Sequence, residues 1–372
     1  MRTAQPETAA RPERLAAVRL ALVPDLGGAG LRRLLAAVGA DGEEGGLLRA
    51  ARATPHLLRR ALGVSGRRAA RLARALRRAD PEAELRAAAE AGVEVLALCD
   101  PDYPAALRVL PDPPMALYRR GGYGVRDGLA VAVTGTRSAS AYGTRTAHRL
   151  AGDLARAGVT VIAGLGRGID VAAHEGALDA GGRSLAVLPS GLLAPYPPEH
   201  APLLERICAQ GAAFSELPLR CGPEPAGFAR RARLMAVLAL AVLIVEAGER
   251  SGALAAARQA LETGREVLAV PGPVDSPTSR GTLRLLQEGA APVGSSQDVF
   301  EVLGWCASQE LSLPPDEARV LQRLAALDGA AADPERTAEA AGLSPEVAAG
   351  HLLTLELRGL VARTAEGAYV VL

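Results

Sequence analysis

The fold is decided by residues 129–170, which read LAVAVTGTRSASAYGTRTAHRLAGDLARAGVTVIAGLGRGID. An apolar run at 129–134 is followed by an amphipathic helical segment at 144–157 and by a second apolar run at 159–163. Nearly continuous apolar runs are typical of strands that are buried on both faces, and strands that alternate with helices form parallel sheets. The stretch therefore predicts the start of a doubly wound, Rossmann-like α/β domain.

The same alternation continues toward the C-terminus. Further apolar runs occupy 184–188, 241–246 and 266–270, and helical stretches occupy 171–180, 251–263 and 282–288. Each of these segments extends the parallel sheet or covers it. We predict that the Rossmann-like domain spans residues 96–304.

The distribution of charge along the chain indicates three domains. The 372 residues carry a net charge of +1, and all 42 basic residues are arginine. Residues 1–95 hold 17 arginines and 11 acids, residues 96–304 hold 20 of each, and residues 305–372 hold 5 arginines and 10 acids. Local charges of +6, 0 and −5 cancel in the total, so the near-neutral net charge does not exclude a nucleic-acid partner.

The N-terminal block is a series of short helical patterns joined by glycine-rich turns. We predict a disordered tail at 1–14 and a helical domain at 15–95, which is SAM-like or built from degenerate helix-hairpin-helix units. The turn GVSG at 63–66 precedes an arginine-rich helix. Turn amides at a helix N-terminus can hold a phosphate, but Gly-x-x-Gly turns are also ordinary helix connectors. Packing alone is the favoured interpretation, and phosphate binding stays open.

The C-terminal block follows a proline-rich linker at 305–314. Helical patterns occupy 317–327, 335–341 and 345–357, and a hairpin that turns at Glu366-Gly367 closes the chain. Helices followed by a terminal hairpin predict a winged-helix-like domain at 315–372. A helix that reads duplex DNA should be basic, whereas 345–357 contains two glutamates and no arginine. We expect this domain to serve protein contacts or packing.

Loops that follow strands carry the candidate site, because ligands of doubly wound sheets bind at the carboxyl ends of the strands. The loop after the first strand contains Gly135, Thr136, Arg137, Ser138 and Ser140. Glycine lets backbone amides approach an anion, hydroxyls donate hydrogen bonds, and arginine binds phosphate with two N–H groups. A capped turn alone would explain the glycine and Ser140 but not the arginine, so we favour phosphate binding here.

The loop after the second strand contains three glycines and a second cation. Its residues are Gly164, Gly166, Arg167 and Gly168. The glycines do not match the dinucleotide fingerprint, because its third glycine would fall on Ile169. We favour Asp170 as the N-cap of the following helix over an acid–base pair with His174.

A third cluster combines an aromatic ring with cations. Its members are Phe228, Arg230, Arg231 and Arg233. Single-stranded nucleic acid is bound by cations along the phosphates and by aromatic rings that stack on bases. A solvated helix start is the alternative. Ser251, Gly252 and Arg280 open two further helices with the same residue types. Together these loops favour a ligand with several phosphates.

Several other chemistries find no support in the sequence. Without lysine the chain has neither a Walker A loop nor a Schiff-base site, and no Gly-x-Ser-x-Gly or His-Glu-x-x-His motif occurs. The four cysteines show no metal-like spacing, and no signal or membrane-spanning run occurs. We therefore expect a cytoplasmic protein without membrane insertion, metal, cofactor or catalytic residues.

Six ordered motifs across residues 130–290 resemble the DprA/Smf (DNA-processing protein A) family. They read VAVTGTRSASAYG, VIAGLGRGIDVAAHEGAL, LAVLPSGL with PYPPEH, SELP with FARRARLMAVL, VEAGERSGAL with ARQALETGREVLAVPG, and SRGTLRLLQEGA. The resemblance implies a protein without enzymatic activity that binds incoming single-stranded DNA during natural transformation. It also implies that the protein cooperates with single-strand-binding protein, loads the RecA recombinase and forms a homodimer through the Rossmann-like domain.

The resemblance also assigns binding roles to the three loops described above. The family's Gly-Ser-Arg becomes Gly135-Thr136-Arg137, and its Ser-Gly-Leu-Ala-Arg-Gly-Ile-Asp becomes 163–170. Its Phe-Pro-x-Arg-Asn-Arg becomes 228–233, with alanine in place of proline and asparagine. The lost asparagine removes an amide that both donates and accepts hydrogen bonds, so placement of the strand can differ.

Two other functions remain as alternatives. A nucleotide-processing Rossmann enzyme, similar to a phosphoribohydrolase, would use the same loops for one phosphate group, although Asp170 is the one obvious acid near them. A duplex-binding protein would use the basic N-terminal block. A titration that compares oligo-dT, duplex and mononucleotide separates the three.

Overall fold

The structure is a computed structural model that describes residues 7–39, 45–108, 110–305, 314–325, 332–357, 360–364 and 367–371. The chain divides into two compact units. The first contains Met1–Arg120, Ser190–Ala194 and Phe214–Gly222. The second contains Gly121–Pro189, Pro195–Ala213 and Pro223–Leu372.

The first unit is mainly helical. Its helices are α1 (Glu7–Ala21), α2 (Gly28–Ala37), α3 (Gly46–Ala51), α4 (Pro55–Leu62), α5 (Gly66–Arg78), α6 (Pro81–Glu90) and α7 (Ala105–Arg108), and its strands are β1 (Glu94–Ala97) and β2 (Ala116–Gly121). Thr54, Ser65 and Asp80 begin α4, α5 and α6, and each side chain accepts a hydrogen bond from a backbone N–H in the first turn. Leucine and alanine side chains from α1, α2, α4 and α5 form one buried core.

Two predicted boundaries of the N-terminal region differ from the structure. Residues 7–14 were expected in a disordered tail but belong to α1, whereas residues 1–6 lie outside the described residues. The helix is held because Ala16, Ala17 and Leu20 are buried and Arg14 donates to the carbonyl of Val95 at 2.9 Å. The compact unit also continues past residue 95, because β1 pairs antiparallel with β2.

The second unit contains the predicted parallel sheet. Its strands are β3 (Ala130–Thr134), β4 (Thr160–Gly164), β5 (Ser184–Val187), β7 (Ala241–Ile244), β8 (Glu266–Ala269) and β9 (Ala291–Pro292), together with the first two residues of β6 (Ala212–Ser215). The strand order is β6-β5-β4-β3-β7-β8-β9. The pairs from β5 to β9 are parallel, and β3, β4, β5 and β7 are buried along their whole length. The Rossmann-like α/β fold is therefore confirmed.

Helices cover this sheet and connect its strands. They are α8 (Ala141–Arg156), α9 (Ile169–Asp179), α10 (Ala201–Gln210), α11 (Pro225–Leu238), α12 (Leu254–Glu262), α13 (Arg280–Gln287) and α14 (Ser296–Val302). The chain runs from β3 outward to β6 and then returns to place β7 on the other side of β3. The crevice at such a reversal of strand order is where doubly wound sheets bind ligands.

Three helices and a hairpin close the second unit. They are α15 (Pro315–Ala325), α16 (Pro334–Ala341), α17 (Pro345–Leu357), β10 (Val361–Arg363) and β11 (Tyr369–Val371), and the two strands pair antiparallel. Val320, Leu352 and Val361 share a buried core with Leu129 at the start of β3. These helices therefore pack on the sheet domain. The winged-helix assignment stays a prediction, and residues 306–313 of the predicted linker lie outside the described residues.

Candidate nucleic-acid interface

An open pocket lies at the carboxyl ends of β3 and β4. It is lined by Arg137, Gly166, Arg167, Tyr196, Pro197, Phe228 and Arg231. The pocket brings together residues from all three clusters that the sequence singled out around 137, 167 and 228. Tyr196 and Pro197 were missed, and their position in the run PYPPEH was the available signal.

The ring of Phe228 is surrounded by cations and a second ring. The guanidinium carbon of Arg137 lies 4.6 Å from the ring centroid, and that of Arg231 lies 5.7 Å from it. The ring of Tyr196 meets Phe228 edge-on, with centroids 6.1 Å apart and an interplanar angle of 83°. A cation–π contact places a guanidinium without neutralising it or occupying its N–H donors. The cluster therefore offers positive charge and aromatic surface in one place.

Arg137 is the most available cation of the pocket. Its side chain is exposed, and among the described residues it contacts the Phe228 ring but no carboxylate. Arg167 is also exposed, but it forms an ion pair with Glu199, with Nε to Oε1 at 2.7 Å. Exposed ion pairs contribute little free energy, so a phosphate can compete for Arg167.

Asp170 lies beneath the pocket and holds Arg231. Its buried carboxylate accepts a 2.6 Å hydrogen bond from Thr134 Oγ1 and a 3.2 Å bond from the Gly166 N–H, and it lies 3.5 Å from Arg231 Nη1. Arg231 Nε is buried and has no acceptor among the described residues. Arg231 is therefore a cation that the protein positions and partly neutralises.

The predicted N-cap role of Asp170 is wrong. The residue that precedes α9 is Gly168, and no side chain caps that helix. Gly168 has a φ of 75°, a backbone conformation that favours glycine, and this turn places Asp170 inside the first helical turn. The alternative of an acid–base pair is not formed either, because the His174 ring nitrogens contact Ser184 and Gly164 instead.

Neighbouring arginines of α11 point in different directions, because successive helical residues are rotated by about 100°. Of the three arginines predicted there, only Arg231 lines the pocket. Arg230 forms an ion pair with Glu224 at 3.3 Å, and Arg233 is half-buried outside the pocket lining. The sequence could not separate them because all three share one helical turn.

The glycines of the two loops allow neighbouring protein atoms to pack where a Cβ would otherwise lie. A side chain at Gly164 would place its Cβ 2.5 Å from Asp170 Oδ2 and against Arg231. Gly135 packs in the same way on Ile169 and the backbone of Glu246. These glycines therefore permit the buried packing under the pocket, and of them Gly166 alone lines it.

Glu246 organises the loops on the other side of β3 and was missed at the sequence level. Its Oε2 accepts hydrogen bonds from Ser140 N at 2.9 Å and Ser140 Oγ at 3.2 Å, and Thr278 donates to Oε1. Its backbone carbonyl accepts from Thr136 N at 2.7 Å. An acid directly after the apolar strand β7 was the signal that could have identified it.

The remaining predicted residues lie outside the pocket lining. Ser140 caps α8, with its Oγ accepting from Gly143 N at 3.0 Å, and Ser251 accepts from Ala253 N at 3.3 Å. Ser138, Gly252 and Arg280 are exposed. These residues follow strands that end at the same edge of the sheet as the pocket. A ligand that contacts them must therefore extend beyond the pocket.

His174 is a buried residue that links α9 to the end of β4 and the start of β5 beneath the pocket. Its Nε2 donates to the carbonyl of Gly164 at 2.6 Å, and its Nδ1 lies 2.6 Å from Ser184 Oγ. Because a carbonyl only accepts, the Nε2-protonated neutral ring accounts for both contacts. Complete burial disfavours the charged ring and lowers the pKa of His174 to about 4.

We expect the protein to lose about 2 kcal/mol of unfolding free energy between pH 7 and pH 5 through His174. The unfolded state binds a proton near pH 6.5 whereas the folded state does not until about pH 4. Stability is therefore complete above pH 6.5 and falls as the pH decreases toward 4. Urea unfolding at both pH values measures it. The His174→Gln variant should lose this dependence while the exposed His56→Gln variant keeps it, and equal slopes in both would contradict the assignment.

Among the described residues, no group of three or more His, Cys, Asp or Glu side chains could hold a metal ion. No helix within the described part of the chain is long and apolar enough to cross a membrane.

Known proteins are similar to this chain in sequence and in fold. A sequence profile described as DNA recombination-mediator protein A matches residues 94–304. The protein Smf of Escherichia coli is 38% identical over 279 residues, which cover 72% of this chain and 74% of that protein.

Two solved structures are similar as well. DNA processing protein A from Streptococcus pneumoniae has a TM-score of 0.60 and 28% identity, covering 78% of this chain and 94% of that one. The structure of DNA processing protein A from Helicobacter pylori, which concerns its single-stranded DNA binding mode, has a TM-score of 0.51 and 29% identity over 57% of this chain and 95% of that one. The chain, with its Rossmann-like sheet and its arginine-flanked pocket, is therefore a DNA-processing protein of the DNA recombination-mediator protein A (DprA/Smf) family.

Proposed function

We propose that this protein binds single-stranded DNA in the pocket around Phe228. The observation that carries the proposal is the position of this ring between the guanidinium groups of Arg137 and Arg231, with Tyr196 beside it. Aromatic rings stack on exposed bases and arginines bind the phosphates between them, and a single strand offers both. The single-stranded DNA binding mode described for the Helicobacter pylori relative supports the same ligand.

The pocket favours binding over catalysis. Its lining among the described residues contains no carboxylate and no histidine, and the nearby Asp170 is engaged by Thr134, Gly166 and Arg231. General acid–base chemistry needs a group within reach of the ligand that can exchange a proton. A phosphoribohydrolase-like enzyme is therefore the weaker candidate.

Membership of the family supports a wider role. We propose that the protein acts in the cytoplasm as a homodimer that protects incoming single-stranded DNA during natural transformation, cooperates with single-strand-binding protein and loads RecA. The test is RecA filament formation on DNA that is already coated with single-strand-binding protein. The full-length protein should shorten the lag, and an unchanged lag would overturn the loading role.

The dependence of affinity on ligand length distinguishes a DNA strand from a mononucleotide as the ligand of the pocket. Fluorescence anisotropy with oligo-dT of 5 to 40 nucleotides should show affinity that increases with length, because a longer strand continues beyond the pocket toward the exposed residues Ser138, Gly252 and Arg280. Saturation by a mononucleotide at the affinity of the longest strand would instead support a nucleotide enzyme.

Replacing Arg137 by alanine should weaken oligo-dT binding about fivefold. One phosphate contact is lost, so the slope of log affinity against log salt should decrease by about 0.7. Anisotropy titrations from 50 to 300 mM NaCl measure both quantities. Arg258, which is exposed on α12, is the matched control, and Arg258→Ala should bind like the wild type. An Arg137→Ala variant with wild-type affinity and slope would remove this residue from the interface.

A further inference from the structure

Helix α5 presents a dense row of arginines to solvent. Its apolar residues Ala69, Leu72, Ala73 and Leu76 are buried in the core of the first unit. The opposite side carries the exposed residues Arg67, Arg68, Arg71, Arg74, Arg77 and Arg78, which we call the arginine face. Burial of one side therefore directs six cations of a 13-residue helix outward.

One of the six cations of the arginine face has an acidic partner among the described residues. Arg71 lies 3.4 Å from Asp25, with both side chains about two-thirds exposed. The other five make no ion pair with any of the described residues. Like charges three or four positions apart destabilise a helix, and arginines in its first turn oppose the helix dipole. A polyanionic ligand would relieve this repulsion.

The chemistry of the arginine face favours duplex over single-stranded DNA. Helix α5 contains no aromatic residue, so it offers nothing on which unpaired bases could stack. A duplex presents its phosphates outward and hides its bases. From Arg67 to Arg78 the helix extends about 16 Å, a length along which each strand of a duplex carries about five phosphates.

We propose that the arginine face of α5 binds the phosphate backbone of duplex DNA and forms a second DNA-binding surface besides the Phe228 pocket. The proposal rests on the proposed function in one respect, because it takes DNA as the ligand of this protein. It assigns the two DNA forms to two surfaces, one with aromatic rings and one without.

The test compares two charge-matched variants of the full-length protein. Arg67→Ala with Arg74→Ala removes two cations from the arginine face, and Arg258→Ala with Arg323→Ala removes two exposed cations from other helices. Alanine has the highest helix propensity, so both variants should keep their helices, which circular dichroism verifies. Binding of a 20-base-pair duplex and of oligo-dT is measured by anisotropy across a NaCl series.

The R67A/R74A variant should bind duplex at least fivefold more weakly, with a salt slope reduced by up to about 2, and should bind oligo-dT within twofold of the wild type. The R258A/R323A variant should match the wild type on both ligands, and R67K/R74K should retain duplex binding because it keeps the charge. The proposal is overturned if the wild type does not bind duplex, if both alanine variants bind it equally, or if oligo-dT binding falls as much as duplex binding.

The oligo-dT affinity of the Phe228→Ala variant distinguishes a failure of this proposal from a failure of the proposed function. If that variant keeps oligo-dT affinity, the pocket assignment fails while the duplex results for R67A/R74A still decide the arginine face. If R67A/R74A keeps duplex affinity, the arginine face fails while the pocket assignment stands on the oligo-dT results.

Discussion

Replacement of Phe228 by alanine is expected to weaken oligo-dT binding by tenfold to a hundredfold, which is the largest effect on binding that the structure predicts. Stacking of one base on an aromatic ring contributes about 1–3 kcal/mol, and each 1.4 kcal/mol is tenfold in affinity. The ring also supports the guanidinium groups of Arg137 and Arg231 at 4.6 and 5.7 Å, so its loss removes their common support.

The salt dependence distinguishes this loss from the loss of a cation. Phe228→Ala removes no charge, so the slope of log affinity against log salt should stay at the wild-type value, whereas Arg137→Ala should lower it. Phe228→Tyr keeps a ring and should bind within about threefold of the wild type. An alanine variant that binds oligo-dT within twofold of the wild type would show that the ring does not contact the strand.

The largest expected effect on stability is that of Asp170→Ala, which should lower the unfolding free energy by about 3–5 kcal/mol. The substitution leaves Arg231, with a side chain only 13% exposed, without its counter-charge. It also removes the acceptor of Thr134 Oγ1 and Gly166 N, and unpaired buried donors are costly. Urea unfolding should show a lower midpoint with an unchanged m value.

Three further variants test whether the lost ion pair and hydrogen bonds of Asp170 cause this destabilisation. Asp170→Asn keeps an oxygen for Thr134 and should be less destabilising. The double variant Asp170→Ala with Arg231→Ala should recover part of the loss, because no unpaired charge remains. Asp316→Ala breaks an exposed pair with Arg319 at 3.2 Å and should cost less than about 1 kcal/mol. A similar small cost for Asp170→Ala would mean that the buried pair is not needed to hold the pocket floor.

Asp170 and His174 have related roles in this site. Both lie on α9. Asp170 contacts the loop after β4 through Gly166 N, and His174 contacts the end of β4 through the Gly164 carbonyl. Neither residue lines the pocket, and each acts through a neighbour that it holds, so both are positioning residues. Variants at either position should therefore change stability together with DNA affinity, whereas Arg137→Ala should change affinity alone.

The strands of the Rossmann-like domain could be predicted closely. The apolar run at 129–134 is the strand Ala130–Thr134, and the run at 159–163 is Thr160–Gly164. Full burial of both faces demands nearly continuous apolar residues, so the pattern is visible in the sequence itself. The loops that follow these strands were identified for the same reason.

Two features could be predicted less closely than the strands. They are the boundaries of the N-terminal region and the roles of single polar residues. The polar start of α1 has no apolar pattern of its own and is helical because its later residues are buried. Glu246 contacts Ser140 across 106 positions of sequence, and Arg231 meets Asp170 only because α11 crosses near the end of β4.

Sequence alone is enough to predict the alternation of strands and helices, the loops with arginine, glycine and hydroxyl residues, and the amphipathic pattern of α5. Those features follow from backbone geometry that repeats every two to four residues. The folded chain, and not the sequence pattern, shows that Arg137 stays available at Phe228 whereas Arg231 is held by the buried carboxylate of Asp170. That difference depends on strand order and helix crossing, because partners distant in the sequence meet only after the sheet has formed.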